Sequence, residues 1–120
     1  MPDAKTKTLA LLSSTPNVDM KTAASTTLYT VPAGKNLVIS RVVIRNNSAS
    51  LAGGTSYSFT NFRQTVDLSG MTTTTGFRVL FATDNTTYVI SAAGTAIQIT
   101  VTTGSSAAGT ATIDLFGYLY

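Results

Sequence analysis

Thr26-Thr27-Leu28-Tyr29-Thr30-Val31, then Pro32-Ala33-Gly34-Lys35, then Asn36-Leu37-Val38-Ile39-Ser40-Arg41-Val42-Val43-Ile44-Arg45-Asn46: how this stretch reads decides the fold. The first six residues are β-branched, aromatic or leucine, a strand composition. Pro32 presets φ and Gly34 supplies the freedom of a tight turn. Asn36 to Asn46 is then the longest strand of the chain. Strict alternation puts Val38, Val42 and Ile44 on one face of it. The other face carries Leu37, Ile39 and Val43, with Arg41 and Arg45 among them. A strand apolar on both faces has something to bury on each.

Working outward, the same period of two recurs between Gly, Pro, Asn and Ser punctuation, and nothing sustains a helical period over three turns. Tyr57 to Phe62 and Thr65 to Leu68 read as strands, and Phe77 to Ala82 with Thr87 to Ser91 as a hairpin about Asp84-Asn85. Ala96 to Thr102 and Thr110 to Tyr120 make a closing pair. Two of these show clear sidedness. Ile97, Ile99 and Val101 alternate with polar residues and Ala96, and Ala111, Ile113, Leu115, Gly117 and Leu119 alternate with Thr112, Asp114, Phe116, Tyr118 and Tyr120. The first set in each faces a core. The outward set of the last strand ends in three aromatics, each able to bury about 150 to 250 Å2. About eight short, evenly spaced strands argue for a single antiparallel β-sandwich, with a jelly roll the leading topology and an up-and-down barrel the alternative.

Residues 1–20 read as an N-terminal arm before a domain at 21–120. Pro2, Lys5, Lys7, a short Leu9 to Leu12 run and the turn formers Ser13 to Asn17 bury too little to order themselves. Two outcomes fit: the arm lies against a partner, or Thr8 to Leu12 adds a strand to the domain's own sheet. The Leu9 to Leu12 run is shorter than a signal-peptide core, and no segment approaches the ~18 apolar residues of a membrane span. The chain therefore reads as soluble, with no export signal and no membrane partner.

The composition is most informative in what it lacks. The 120 residues include no His, Cys, Trp or Glu, and the five acids are Asp3, Asp19, Asp67, Asp84 and Asp114. No base is present for a Ser-His triad, no Ser-x-x-Lys spacing occurs, and no thiolate can bind metal. Scattered Asp in a β domain are turn residues more often than a carboxylate pair. The Asp84-Asn85 pair falls short of a calcium loop. Gly53-Gly54, Gly104 and Gly109 precede no helix and so cradle no phosphate. No catalytic, cofactor or metal residue is assigned.

Charged residues are 11% of the chain against about 25% in a typical soluble domain, and their place is taken by 23 Thr and 12 Ser. The net charge of +3 is spread along the chain, without the basic runs that mark nucleic-acid binding. Phe59, Phe62 and Arg63 are a weak exception, with the two rings on opposite faces of one strand. Tyr57, Tyr88, Tyr118 and Tyr120 could stack on sugars, but nothing in the sequence gathers them. A surface of hydroxyls and alanine suits a protein held in an assembly, where desolvation is cheap. Subunit contact is expected through Phe116, Tyr118, Tyr120, Leu37, Ile39 and Val43.

The opening stretch, from Tyr29-Thr30-Val31-Pro32-Ala33-Gly34-Lys35 into the long apolar strand ending at Asn46, resembles a segment recurrent in small structural proteins of tailed bacteriophages. Thr112-Ile113-Asp114-Leu115-Phe116-Gly117-Tyr118 is similar to their closing strand. Together the two segments cover about a quarter of the chain. The resemblance implies a non-enzymatic virion component, assembled in the host cytoplasm, without cofactor. A stand-alone sandwich with an arm then favours a capsid decoration (cement) protein, as a homo-oligomer and most simply a trimer. Contact with the lattice of the major capsid protein would fall to Lys5, Lys7, Leu9, Leu11, Arg41 and Arg45. The alternative is a receptor- or glycan-binding tip of a tail or head fibre.

Overall fold

The computed structural model describes residues 10–61, 65–74, 76–81 and 90–120. Among them the chain is all-β, with β1 (Ala10–Asp19), β2 (Ser25–Thr30), β3 (Leu37–Arg45), β4 (Ser56–Phe59), β5 (Phe77–Phe81), β6 (Ile90–Ser91), β7 (Ala96–Thr103) and β8 (Thr110–Leu119). One sheet runs β1-β8-β3-β5, with the short β6 also on β3, and the other runs β2-β7-β4. Every strand pair is antiparallel. The two sheets enclose one apolar core, the arrangement of a β-sandwich.

The core follows from the period of two. Ile97, Ile99 and Val101 of β7 and Ala111, Ile113 and Leu115 of β8 are all buried, as their alternation with polar residues requires. Each such aliphatic side chain contributes roughly 1.5 to 3 kcal/mol of burial. The turn joining β2 to β3 also has the expected form. Gly34 takes φ 74°, which an L side chain resists, and the Lys35 N–H donates to Pro32 O at 3.2 Å.

Two expectations change. In β3, Leu37 (0% exposed) and Ile39 (1%) are buried, and so are Val42 (1%) and Ile44 (0%). Strict alternation cannot bury both pairs. The parity switches at Ser40, where the register against β8 slips between Ile39 and Arg41. This is a β-bulge, with one extra residue that turns the strand over. Opposite it stands Gly117, where a Cβ would collide with the carbonyl oxygen of Val38, so the backbones meet closely only because glycine is there. Leu37 and Ile39, expected at a subunit interface, are thus core residues, and Val38 lies on the other side of the sheet.

The second change is one of extent. Of the two outcomes left open for residues 1–20, the strand on the domain's own sheet is the one formed, and it runs on past Leu12 as Ala10–Asp19, paired with β8 from Ala10↔Gly117 to Asp19↔Thr110. The physical reason is at its C-terminal end, where Val18 (2%) and Met20 (0%) are buried in the core. Met20 O also accepts from the Ser105 N–H at 3.0 Å and from the hydroxyl of fully buried Tyr57 at 2.7 Å. Tyr57 is therefore a core residue and offers no platform for a sugar. Elsewhere β4 ends at Phe59, and the strand expected at Thr65 to Leu68 is a single bridge between Val66 and Tyr57. The hairpin turn at Asp84-Asn85, together with Phe62, Arg63 and Tyr88, lies outside the described residues.

Candidate interaction face

Opposed residues of an antiparallel pair point to the same side of a sheet, so the registers define the outer face of β1-β8-β3-β5 row by row. Tyr118 lies beside Val38. In the next row Leu11 of β1, Phe116 of β8 and Arg41 of β3 stand side by side. Ser14, Asp114, Val43 and Val79 of β5 form the third row, and Thr112, Arg45 and Phe77 the fourth. Leu11 is 53% exposed and Phe77 68%, and Tyr120, just past the end of β8, is 46% exposed. Phe116, Tyr118, Val38, Val43 and Val79 are half-buried among their neighbours. The face is apolar at both ends and across its middle.

The polar groups on it are tied to one another. The Arg41 guanidinium sits 4.4 Å from the centroid of the Phe116 ring, within cation–π range. Arg45 Nε donates to Asp114 Oδ2 at 2.8 Å, and the Ser14 hydroxyl donates to Asp114 Oδ1 at 2.6 Å. Asp114 thereby joins β1, β8 and β3 across the sheet. Burial would raise its pKa, but the hydrogen bonds from Arg45 and Ser14 and the charge of Arg45 outweigh that and hold it below the ordinary carboxylate value. The same hydrogen bond and charge hold the Arg45 guanidinium protonated. Asp114 is 7% exposed, so the carboxylate is sunk in the face while the Arg45 side chain that reaches it stays 41% exposed. With both arginines occupied, the face can pack against another apolar surface without stranding a mobile charge.

The residues expected at two separate contacts, one with sister copies and one with a capsid, divide as follows. Phe116, Tyr118, Val43, Leu11, Arg41 and Arg45 share this one face, and Tyr120 lies at its end. Leu37 and Ile39 face inward, and Lys5, Lys7 and Leu9 lie outside the described residues. Phe77, Val79, Val38, Ser14 and Asp114 belong to the face without having been singled out from sequence. The alternation Phe77-Arg78-Val79-Leu80 gave no usable signal: with charged Arg78 on the other side it points Phe77 and Val79 at a core, whereas Leu80 is the buried residue and Phe77 is 68% exposed. The face offers apolar contact around one ion pair, whose carboxylate is buried and whose guanidinium is partly exposed. No protein-family model matches the chain, and no curated protein matches it in sequence.

Proposed function

We propose that the protein is a non-enzymatic structural component of a phage virion, a decoration (cement) protein that stabilises a head through contacts with its own copies and with the capsid lattice. The observation that carries this reading is the outer face of β1-β8-β3-β5, with Leu11, Phe77, Phe116 and Tyr118 around a locked ion pair. The nine residues of β3 and the four strands across give a face of roughly 30 by 19 Å, so two such faces bury on the order of 1,100 Å2 together. That is enough for a specific interface. The resemblance of Tyr29 to Asn46 and Thr112 to Tyr118 to phage structural proteins supplies the biological setting. The same face supports a homo-oligomer; two such faces packed on each other close as a dimer, and a trimer sets the face against a different surface of the next copy.

The strand pairing supports a jelly roll as the finer topology. β1 pairs β8, β2 pairs β7, β3 pairs β6, and Val66 bridges β4, which is a set of nested pairs like one long hairpin rolled over the core. In such a protein the mechanism is mass action. Binding that exists only on the assembled lattice shifts the equilibrium toward it, by about 2.7 kcal/mol per site at a hundredfold excess over Kd. Copies linked in an oligomer add their sites at high effective concentration.

The test has two parts. Light scattering after gel filtration should give a multiple of the 12.5 kDa chain mass, and Phe116→Ala with Tyr118→Ala should reduce it to a single chain with the β-sheet circular dichroism intact. The unmodified protein should also bind purified expanded phage capsids that lack it and raise their melting temperature. Binding to host cells or a glycan array with capsids unaffected would instead make the chain a fibre-tip adhesin.

A further inference from the structure

The two halves of β1 are held very differently. From Ala10 to Asn17 no side chain is fully buried, whereas Val18 is 2% exposed and Met20 0%. The change falls at Pro16-Asn17. Pro16 has no N–H for the ladder, Asn17 sits at φ 57°, and the register against β8 slips between Thr15 and Val18. A second slip lies between Leu11 and Ser13. The Ser13 Oγ is buried under this half without a hydrogen-bond partner, a cost that pairing with β8 has to carry. Among the described residues, one side-chain hydrogen bond ties the segment to β8, from Ser14 to Asp114.

The β8 side of that bond does not depend on β1. Asp114 is fixed by Arg45 of β3 at 2.8 Å, and Ile113 and Leu115 are fixed by the core. β8 thus keeps its place without β1, while Ala10 to Thr15, ahead of the hinge at Pro16-Asn17, is held by its backbone ladder, the Ser14 bond and half-buried Leu12 against the core. Leu11, the exposed apolar side chain of this segment, already lies in the face that meets a neighbour.

We propose that Ala10 to Thr15 is an exchangeable strand, which in the oligomer pairs with β8 of a second copy in the register that it has here with its own. This rests on the oligomeric reading above. A second copy is the fitting occupant because it presents an identical β8 edge with the same Asp114 acceptor. The ladder that opens in one chain closes again on the other, and only the hinge must change its course. New packing where the two bodies meet then decides the balance. Exchange would turn a flat, reversible face contact into one that comes apart only when a strand is unzipped.

The chain has no cysteine, so introduced ones report cleanly. Thr15 and Ile113 oppose each other across β1 and β8, as do Leu11 and Phe116. Thr15→Cys and Ile113→Cys, made as separate chains with different tags, are refolded together and oxidised. Leu11→Cys with Phe116→Cys is the second pair, should Ile113→Cys fail to fold. The expected result is a non-reduced species of twice the 12.5 kDa chain mass that carries both tags. If the unmodified protein is an oligomer, either cysteine pair placed together in a single chain closes within that chain, and neither mixture gives the mixed link, the exchange is overturned while the oligomer stands. An unmodified protein of single-chain mass overturns both.

Discussion

The two sheets present opposite kinds of outer face. That of β2-β7-β4 is a ladder of hydroxyls and one amide. Ser25 and Thr100 share a hydrogen bond at 2.8 Å, the Gln98 side chain donates to Thr27 at 3.0 Å, and the Gln98 backbone N–H donates to the Thr60 hydroxyl at 2.9 Å. Ser58 stands opposite Thr100 in the same ladder. No Lys, Arg, Asp or Glu belongs to these three strands. The face of β1-β8-β3-β5 instead shows Leu11, Phe116, Tyr118, Val43 and Phe77 around two arginines and one aspartate. The polar ladder is satisfied within itself and by water, whereas the apolar face forgoes burial for as long as it stays wet. Low charge in this chain therefore has two meanings. On one sheet hydroxyls replace charge in a self-satisfied ladder, and on the other apolar groups replace it in a face whose burial would be favourable.

The comparison stands first on the bulge at Ser40, which decides which β3 residues belong to the apolar face. If the strand turns over there, Ile39→Ala removes core and costs about 2 to 5 kcal/mol, while Val43→Ala, on the outer side, costs under about 1 kcal/mol in the isolated chain. Urea denaturation of the two variants measures both. Equal small losses would return Ile39 to the surface and undo the assignment of the face.

That bulge marks where the sequence stops being legible. Within β7 and β8, alternation alone identified Ile97, Ile99, Val101, Ile113 and Leu115, because an unbroken strand keeps its parity. β3 looks just as regular, but its parity depends on Gly117, in a strand whose pairing with β3 no local pattern announces. β1 was half legible: the apolar Leu9 to Leu12 run left a strand open as one of two outcomes, but its continuation through Pro16-Asn17 and its partner Asp114, 100 residues from Ser14, have no local signal. Phe116, Tyr118 and Val43 were expected at one contact and Leu11, Arg41 and Arg45 at another, and the fold brings all six to one face. That they share a face with Phe77 and Val79 depends on the β3–β5 register, which only the fold supplies.

The second test concerns the ion pair that lets the apolar face carry charge. The Asp114 pKa lies below its ordinary value, so the folded state binds its proton less readily than the unfolded chain does. Its contribution is complete above the unfolded value of about 3.9 and is lost as the pH falls through the folded pKa. Asp114→Asn should cost roughly 1 to 3 kcal/mol at neutral pH, as expected for hydrogen bonds to a charged group, and should flatten the acid limb of a urea-midpoint profile. Asp19 and Asp67 are lowered too. The backbone N–H groups of Lys21 and Thr22 act on Asp19, and the Ser69 hydroxyl and N–H on Asp67, so part of the acid limb survives in the variant. A profile identical to that of the unmodified protein would mean that Asp114 is not paired in solution.

The smallest effect is the most discriminating. Thr27 is exposed on the polar ladder, and replacing it with Lys gives up one hydrogen bond to the Gln98 side chain, which water can replace. Stability should move by no more than about 0.5 kcal/mol. The oligomer mass from light scattering and the gain in capsid melting temperature should not move at all. The reason is the asymmetry of desolvation. A lysine at a face that stays wet keeps its hydration, while one inserted beneath a packed partner loses it without a carboxylate in return, which breaks the contact. Val43→Lys on the other sheet supplies the matching case, in the middle of the third row and two residues from the end of its strand, as Thr27 is from the start of its own. Dissociation with Val43→Lys and none with Thr27→Lys places the contact on β1-β8-β3-β5. The reverse pattern would make the hydroxyl ladder the contact surface and leave the aromatic face to the solvent.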